Sequence, residues 1–258
     1  MNKQELLKKI TEKKEFSDLP TRDVEIAFER YNKEKYSDEE KVKFTRDLLR
    51  KVFSAFTSKK ILSLKNKDEE WILRKHLSTR ERLDYYEEIY KRILRGLNKK
   101  INIVDLGAGI NGFSYKYFKK IGFDVNYYSI EAVGQLVNLV NHYFDKNKLS
   151  GKAYHLTLFE VEEIKKIIKN LKKPPVVFIF KTIDSLEMLK RDYSKQLIQE
   201  ITPLSERVVL SFSTRSMMKK TKFHADRSWI TDFIRENFEI LDNFELETER
   251  YIVFCKRD

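Results

Sequence analysis

From residue 100 onward the chain alternates short apolar runs with amphipathic segments, and this limits it to a parallel sheet with helices on both faces. The predicted strands are Ile101–Leu106, Val125–Ile130, Ala153–Leu156, Val176–Phe180, Val208–Phe212, Ile240–Glu245 and Tyr251–Phe254. Between the first five lie Phe113–Ile121, Val133–Phe144, Val161–Leu171 and Leu186–Ile201, each with apolar residues at helical spacing. Only Glu245–Arg250 connects the last two strands, too little for a helical crossover, so that pair is expected to run antiparallel. The result is an α/β fold with a seven-stranded sheet.

The first hundred residues have a different texture. They hold one glycine, Gly96, and one proline, Pro20. Val42, Leu48, Leu49, Val52, Phe53 and Phe56 recur at threes and fours, as do Leu83, Tyr86, Ile89, Tyr90 and Ile93. Thr21 followed by Asp23 is a helix start, and Ser37-Asp38-Glu39-Glu40 has the form of a capping box. The expected organisation is an all-helical domain over residues 1–98 and an α/β domain over 99–258, consistent with roughly 100–200 residues per domain.

Composition excludes several classes. Hydrophobic residues make up 41% and aromatics 13%, enough for a real core, so wholesale disorder is excluded. No apolar run approaches the ~20 residues needed to span a bilayer. The charged start MNKQELLKKITEKKEF has no apolar stretch with a cleavage site, so a cytoplasmic protein is expected. The single Cys255 excludes a disulfide framework and a cysteine-based zinc site; His142, His155 and His224 stand alone, so no metal is expected. The net charge is +12 and points to a polyanionic partner. Residues 1–99 carry 26 Lys+Arg against 19 Asp+Glu, net +7, more than half of the excess.

The sharpest motif is Ile101-Asn-Ile-Val-Asp-Leu-Gly-Ala-Gly-Ile-Asn-Gly112, a strand running through a glycine-rich turn into a helix. Such a turn brings backbone N–H groups close to a ligand. Its D-L-G-x-G form resembles the S-adenosylmethionine turn more than the dinucleotide fingerprint. Glu131 closes the second strand, placed for a bidentate contact with ribose hydroxyls. The layout of five alternating units and a terminal antiparallel pair resembles the Rossmann-like class I methyltransferases. Cys255 lies in the last strand, far from the switch point, which argues against a thiolate mechanism. After the fourth strand stands Phe180-Lys181-Thr182-Ile183-Asp184 in place of the proline-rich turn of exocyclic-amine methylases. Lys181 is the candidate base for ribose 2′-O transfer. Guanine N7 needs no base, because its lone pair is free.

His76-Leu-Ser-Thr-Arg-Glu-Arg-Leu83 resembles the H-x-S-T-x-E-R-L signature of the aminoglycoside-resistance small-subunit (16S) ribosomal RNA guanine-N7 methyltransferases. The resemblance continues through Val104–Gly109, Lys181–Glu187, Val208–Ser216 and Tyr251–Phe254, covering roughly residues 40–258. It implies S-adenosyl-L-methionine as cofactor, with His76, Ser78 and Arg82 beside it and Arg82 pairing the methionyl carboxylate. Gly107 would lie against the methionyl part, with Gly109 of the same turn also binding the cofactor; Glu131 would replace the family's ribose-binding aspartate, Thr157 and Leu158 would flank the adenine, and Ile183 would pack on the cofactor. The family's acidic residue beside Thr157 is missing; backbone or Glu160 would then meet the adenine amine. Taken without the resemblance, Ser78 or Thr79 would cap a helix.

The segment following the fifth strand combines Arg215, Lys219, Lys220, Lys222 and Arg227 with Phe223 and Trp229. Cations for phosphates and a ring for a flipped base suit RNA at the carboxyl edge of the sheet. The family's glycine elements are absent there. The expected activity is guanine-N7 methylation of 16S ribosomal RNA of the small ribosomal subunit by a monomer with a helical RNA-binding domain. Two alternatives stand: a methylase of ribose 2′-O or of transfer RNA, or a catalytically silent RNA-binding assembly factor.

Overall fold

The N-terminal segment forms α1 (Lys3–Thr11), α2 (Thr21–Glu29), α3 (Asp38–Leu49), α4 (Glu69–Leu73), α5 (Leu77–Arg82) and α6 (Tyr86–Ile93). The computed structural model describes residues 1–54, 58–61, 67–214 and 227–257. Local chemistry sets several of these starts. Ser37 Oγ accepts from the Glu40 amide at 3.2 Å while Glu40 accepts from the Ser37 amide at 2.9 Å, the reciprocal cap expected from the sequence. Asn2 and Glu5 form a second such cap at α1. Helix α5 begins at Leu77 without a side-chain cap, so Ser78 and Thr79 lie inside it and are not caps.

The sheet strands are β1 (Lys100–Leu106), β2 (Asp124–Glu131), β3 (Gly151–His155), β4 (Val176–Phe180), β5 (Arg207–Ser213), β6 (Phe238–Leu246) and β7 (Glu249–Lys256). Their order is β3-β2-β1-β4-β5-β7-β6, with β1 to β5 parallel and β7 antiparallel to both of its neighbours. Every side chain of β4 is buried, as a central strand covered on both faces requires. The covering helices are α7 (Tyr115–Lys120), α8 (Gly134–Lys146), α9 (Val161–Lys169), α10 (Ile183–Leu189), α11 (Tyr193–Ile201) and α12 (Ser228–Asn237). The run Leu186–Ile201, expected as one helix, is two. Asp192 adopts a left-handed conformation, and the Glu187 carboxylate accepts from the amides of Asp192 and Ser194, at 2.6 and 2.9 Å, so that a new helix starts there.

The change of texture near residue 98 falls between α6 and β1. One apolar core runs across it, from Ile10, Phe16 and Phe28 to Phe178 and Phe254. Tyr90 of α6 stacks on Phe118 of α7 with ring centroids 3.9 Å apart. Among the described residues no helix is long and apolar enough to cross a membrane.

Candidate functional site

A cavity opens at the carboxyl ends of β1, β2 and β4, at the point where the strand order reverses between β1 and β4. Gly107 and Gly109 form its floor, Glu131 and Ala132 one wall, and Phe180, Lys181 and Thr182 the other. Leu158 and Phe159 lie beyond β3, and Leu186 and Leu189 of α10 close the apolar side. The helical segment completes it with Asp23 of α2, Val52 and Phe53 after α3, and His76 and Ser78 at the start of α5.

The glycine turn is built for close approach. Gly107 has φ +70°, and a Cβ there would lie 2.7 Å from the Thr182 side chain. Gly109 has φ +54°, and its missing Cβ would stand 3.1 Å from Nε2 of His76. Behind the turn, Asn111 ties it to the helices. Asn111 Nδ2 donates to Asp105 at 2.8 Å, while Asn111 Oδ1 accepts from Arg82 at 3.1 Å and from Tyr86 at 2.8 Å. The Tyr127 hydroxyl also bonds Asp105. Burial raises the Asp105 carboxyl above its usual range, and the donors Tyr127 and Asn111 oppose that shift.

Glu131 is buried and folds back on its own backbone. One carboxylate oxygen accepts from the Gly109 amide and the other from the Val133 amide, both at 2.8 Å. Burial raises its pKa, and these two bonds oppose the rise. Each oxygen keeps a second lone pair for an incoming hydroxyl. His76 Nδ1 lies 3.0 Å from the Ser78 hydroxyl. Its pKa is pushed down to about 3, chiefly by burial and further by Arg82 and Lys181, so the ring is neutral at physiological pH.

Of the residues expected from the sequence, His76, Ser78, Gly107, Gly109, Glu131 and Leu158 are brought together on the cavity wall. Three stand behind it. The Arg82 guanidinium, expected on a ligand carboxylate, lies 3.4 Å from Glu249 and 4.9 Å above the Phe180 ring. A buried guanidinium needs an internal counter-charge, and β7 supplies one. Ile183 is fully buried as the first residue of α10 and faces the core. Thr157 is also buried; its hydroxyl donates to Asp23 at 2.9 Å.

Lys181 is on the wall, with φ +54°, and its ammonium pairs with Glu81 and, at 3.2 Å, with Glu249. Arg227, expected as an RNA cation, is bound bidentately to Asp184, with Nη2 2.7 Å from Oδ2. Trp229 is half-buried against the core, with Lys195 5.7 Å from its ring. Arg215, Lys219, Lys220, Lys222 and Phe223 lie outside the described residues. Asp23 was legible only as part of a helix start; its arrival in the cavity depends on packing between α2 and the end of β3.

A family model described as ribosomal RNA methyltransferase (FmrO) matches residues 37–251 of the chain. The 16S rRNA (guanine(1405)-N(7))-methyltransferase of Proteus mirabilis is 34% identical over 77 residues. That alignment spans 27% of this chain and 27% of the curated relative, well short of its full length. The crystal structure of the 16S rRNA methyltransferase RmtF in complex with S-adenosyl-L-homocysteine matches over 100% of both chains, with a TM-score of 0.80 at 19% identity. That of the 16S rRNA methylase RmtB matches over 100% of this chain and 99% of its own, with a TM-score of 0.77 at 19% identity. These two likenesses establish the same fold over the whole length. With the family model spanning most of its residues, the chain belongs to the ribosomal RNA methyltransferase (FmrO) family.

Proposed function

We propose that this protein methylates guanine N7 in 16S ribosomal RNA, using S-adenosyl-L-methionine. The observation that carries this reading is the cavity itself. A glycine floor without room for a Cβ, a buried carboxylate at the end of β2 and apolar flanks meet at the switch point of the sheet. These residues fit the cofactor: Gly107 and Gly109 accommodate the methionyl part, Glu131 takes the ribose hydroxyls, and Leu158 lies along the adenine. His76 and Ser78 close the site from α5, with Arg82 fixing the turn from behind through Asn111. When bound, the cofactor supplies an electrophilic methyl group on a sulfonium.

The chain's part in the chemistry is alignment. Guanine N7 holds its lone pair in the ring plane and gives up no proton, so a neutral His76 and an ion-paired Lys181 are compatible with the reaction. Affinity for the RNA comes from lysines of the helical segment. Lys8, Lys13, Lys14 and Lys33 are exposed, and among the described residues no carboxylate lies within ion-pair distance of them. The protein acts as a monomer in the cytoplasm.

The test is to incubate small ribosomal subunits and free 16S RNA with isotopically labelled cofactor and to map the methylated nucleotide by mass spectrometry. A single N7-methylguanosine is expected. Label on a ribose oxygen, or none on either substrate, would overturn the reading.

A further inference from the structure

We propose that Asp23, carried into the cavity by α2, reads the adenine of the cofactor, its unpartnered carboxylate oxygen accepting a hydrogen bond from the exocyclic amine. The inference rests on the cofactor reading above and extends it to a residue that precedes the family match at 37–251.

Three observations support it. The first is an orphaned acceptor. Asp23 is 2% exposed and its Oδ2 has no hydrogen-bond partner among the described residues, although it belongs to the cavity lining. A buried carboxylate oxygen left without a donor is rare and costly, so a ligand donor is the expected complement. The second is direction. The Thr157 hydroxyl accepts from the Phe159 amide at 3.2 Å and donates its one proton to Asp23 Oδ1 at 2.9 Å. That leaves Oδ2 as the unpaired acceptor of a carboxylate whose residue lines the cavity.

The third is position. Glu131 at the end of β2 marks the ribose region, and Asp23 lies one strand further out, at Thr157 after β3. The apolar flank of Leu136, Leu158, Phe159 and Leu186 suits a flat base. A six-amino purine offers a donor at its edge. A six-oxo purine offers an acceptor, which a carboxylate repels. Burial also pushes the Asp23 carboxyl up to about 7, a cost that a donor from the ligand would offset.

One consequence concerns the two halves of the chain. The N-terminal segment is then part of the cofactor site as well as a docking surface for RNA. Cofactor binding would clamp α2 onto the edge of the sheet.

The test is isothermal titration at pH 8, where the Asp23 carboxyl is ionised, of the full chain and of Asp23→Asn and Asp23→Ala with S-adenosyl-L-homocysteine and its six-oxo analogue, S-inosyl-L-homocysteine. The wild type should prefer the adenosyl ligand by about ten- to a hundred-fold, the range of a hydrogen bond to a charged group. Asp23→Asn keeps an acceptor for Thr157 and presents an amide donor to the base, so the preference should collapse or invert. Asp23→Ala should abolish the discrimination. Thermal unfolding without ligand shows whether each variant folds; should Asp23→Ala not fold, the near-isosteric Asp23→Asn and the wild-type ratio still decide. Wild-type binding without discrimination, or an unchanged ratio in Asp23→Asn, overturns the inference alone. No binding of either ligand by the wild type at millimolar concentration overturns the cofactor reading with it.

Discussion

The Arg82 guanidinium and the Glu249 carboxylate face each other at 3.4 Å with both side chains buried, joining α5 to the first residue of β7. Lys181, itself paired with Glu81, reaches the same carboxylate oxygen at 3.2 Å, so Glu249 is shared between two buried cations and is the one acid paired with Arg82 among the described residues. Glu249→Gln would leave Arg82 without its counter-charge. The expected loss is about 3 kcal/mol of unfolding free energy, the scale for breaking a buried pair from one side. Urea unfolding monitored by tryptophan fluorescence measures it, and a loss under about 1 kcal/mol would mean that the pair is not a structural tie.

The Asp23 carboxyl makes the stability of the ligand-free protein depend on pH. Its pKa is raised to about 7 from the ordinary value of 3.8, chiefly by burial, with Glu131 and Glu160 adding; the Thr157 hydroxyl and Arg22 oppose the shift. Between these two values the folded protein holds a proton that the unfolded chain has released. Stability is greatest below about 4 and falls as pH rises through about 7, by up to about 4 kcal/mol at 1.36 kcal/mol per unit. Asp23→Asn removes this dependence and should be the more stable protein at pH 8, with the gap narrowing as pH falls to 5. Guanidinium unfolding at both pH values checks this; an identical pH dependence in the two proteins would count against it.

His76 should not titrate across the physiological range. Burial, Arg82 and Lys181 all disfavour the imidazolium. In a ¹⁵N-resolved imidazole spectrum its signals should stay in the neutral pattern from pH 8 down to pH 5. A midpoint near the ordinary histidine value of about 6.5 would show a wetter site than the one described.

Glu131→Gln keeps the size of the side chain but puts an amide donor against either the Gly109 or the Val133 amide, both of which now donate to the carboxylate. Two donors cannot satisfy each other. The expected outcome is at least a tenfold loss of S-adenosyl-L-homocysteine affinity by calorimetry, on the scale of a charge-assisted hydrogen bond. Affinity within a factor of two of wild type would remove Glu131 from the site.

Cations of the two regions should differ in RNA binding. Arg227 is already neutralised by Asp184, so Arg227→Ala should leave the salt dependence of RNA affinity unchanged. Replacing Lys13 and Lys14, exposed between α1 and α2, should flatten the log–log slope by about 0.7–0.9 for each phosphate that no longer meets a lysine. Filter binding across a salt series separates the two. Equal slopes in all variants would place the RNA elsewhere on the surface.

Local features were legible in the residues themselves. The alternation after residue 100, the Ser37–Glu40 cap, the glycine turn and the carboxylate closing β2 depend on neighbours a few positions away, where spacing and propensity act directly. The two-helix break at Asp192 was not legible in this way, because its cause is the Glu187 side chain reaching forward to cap α11. The tertiary structure decided what lies far apart in sequence. Arg82 faces Glu249 across 167 positions, Thr157 faces Asp23 across 134, and Arg227 faces Asp184 across 43. In each case a charged or polar side chain had more than one chemically sound partner, and the alternation of strands and helices says nothing about which it meets. That choice follows from how the helical segment packs on the sheet and from the rule that a buried charge must find its complement within reach.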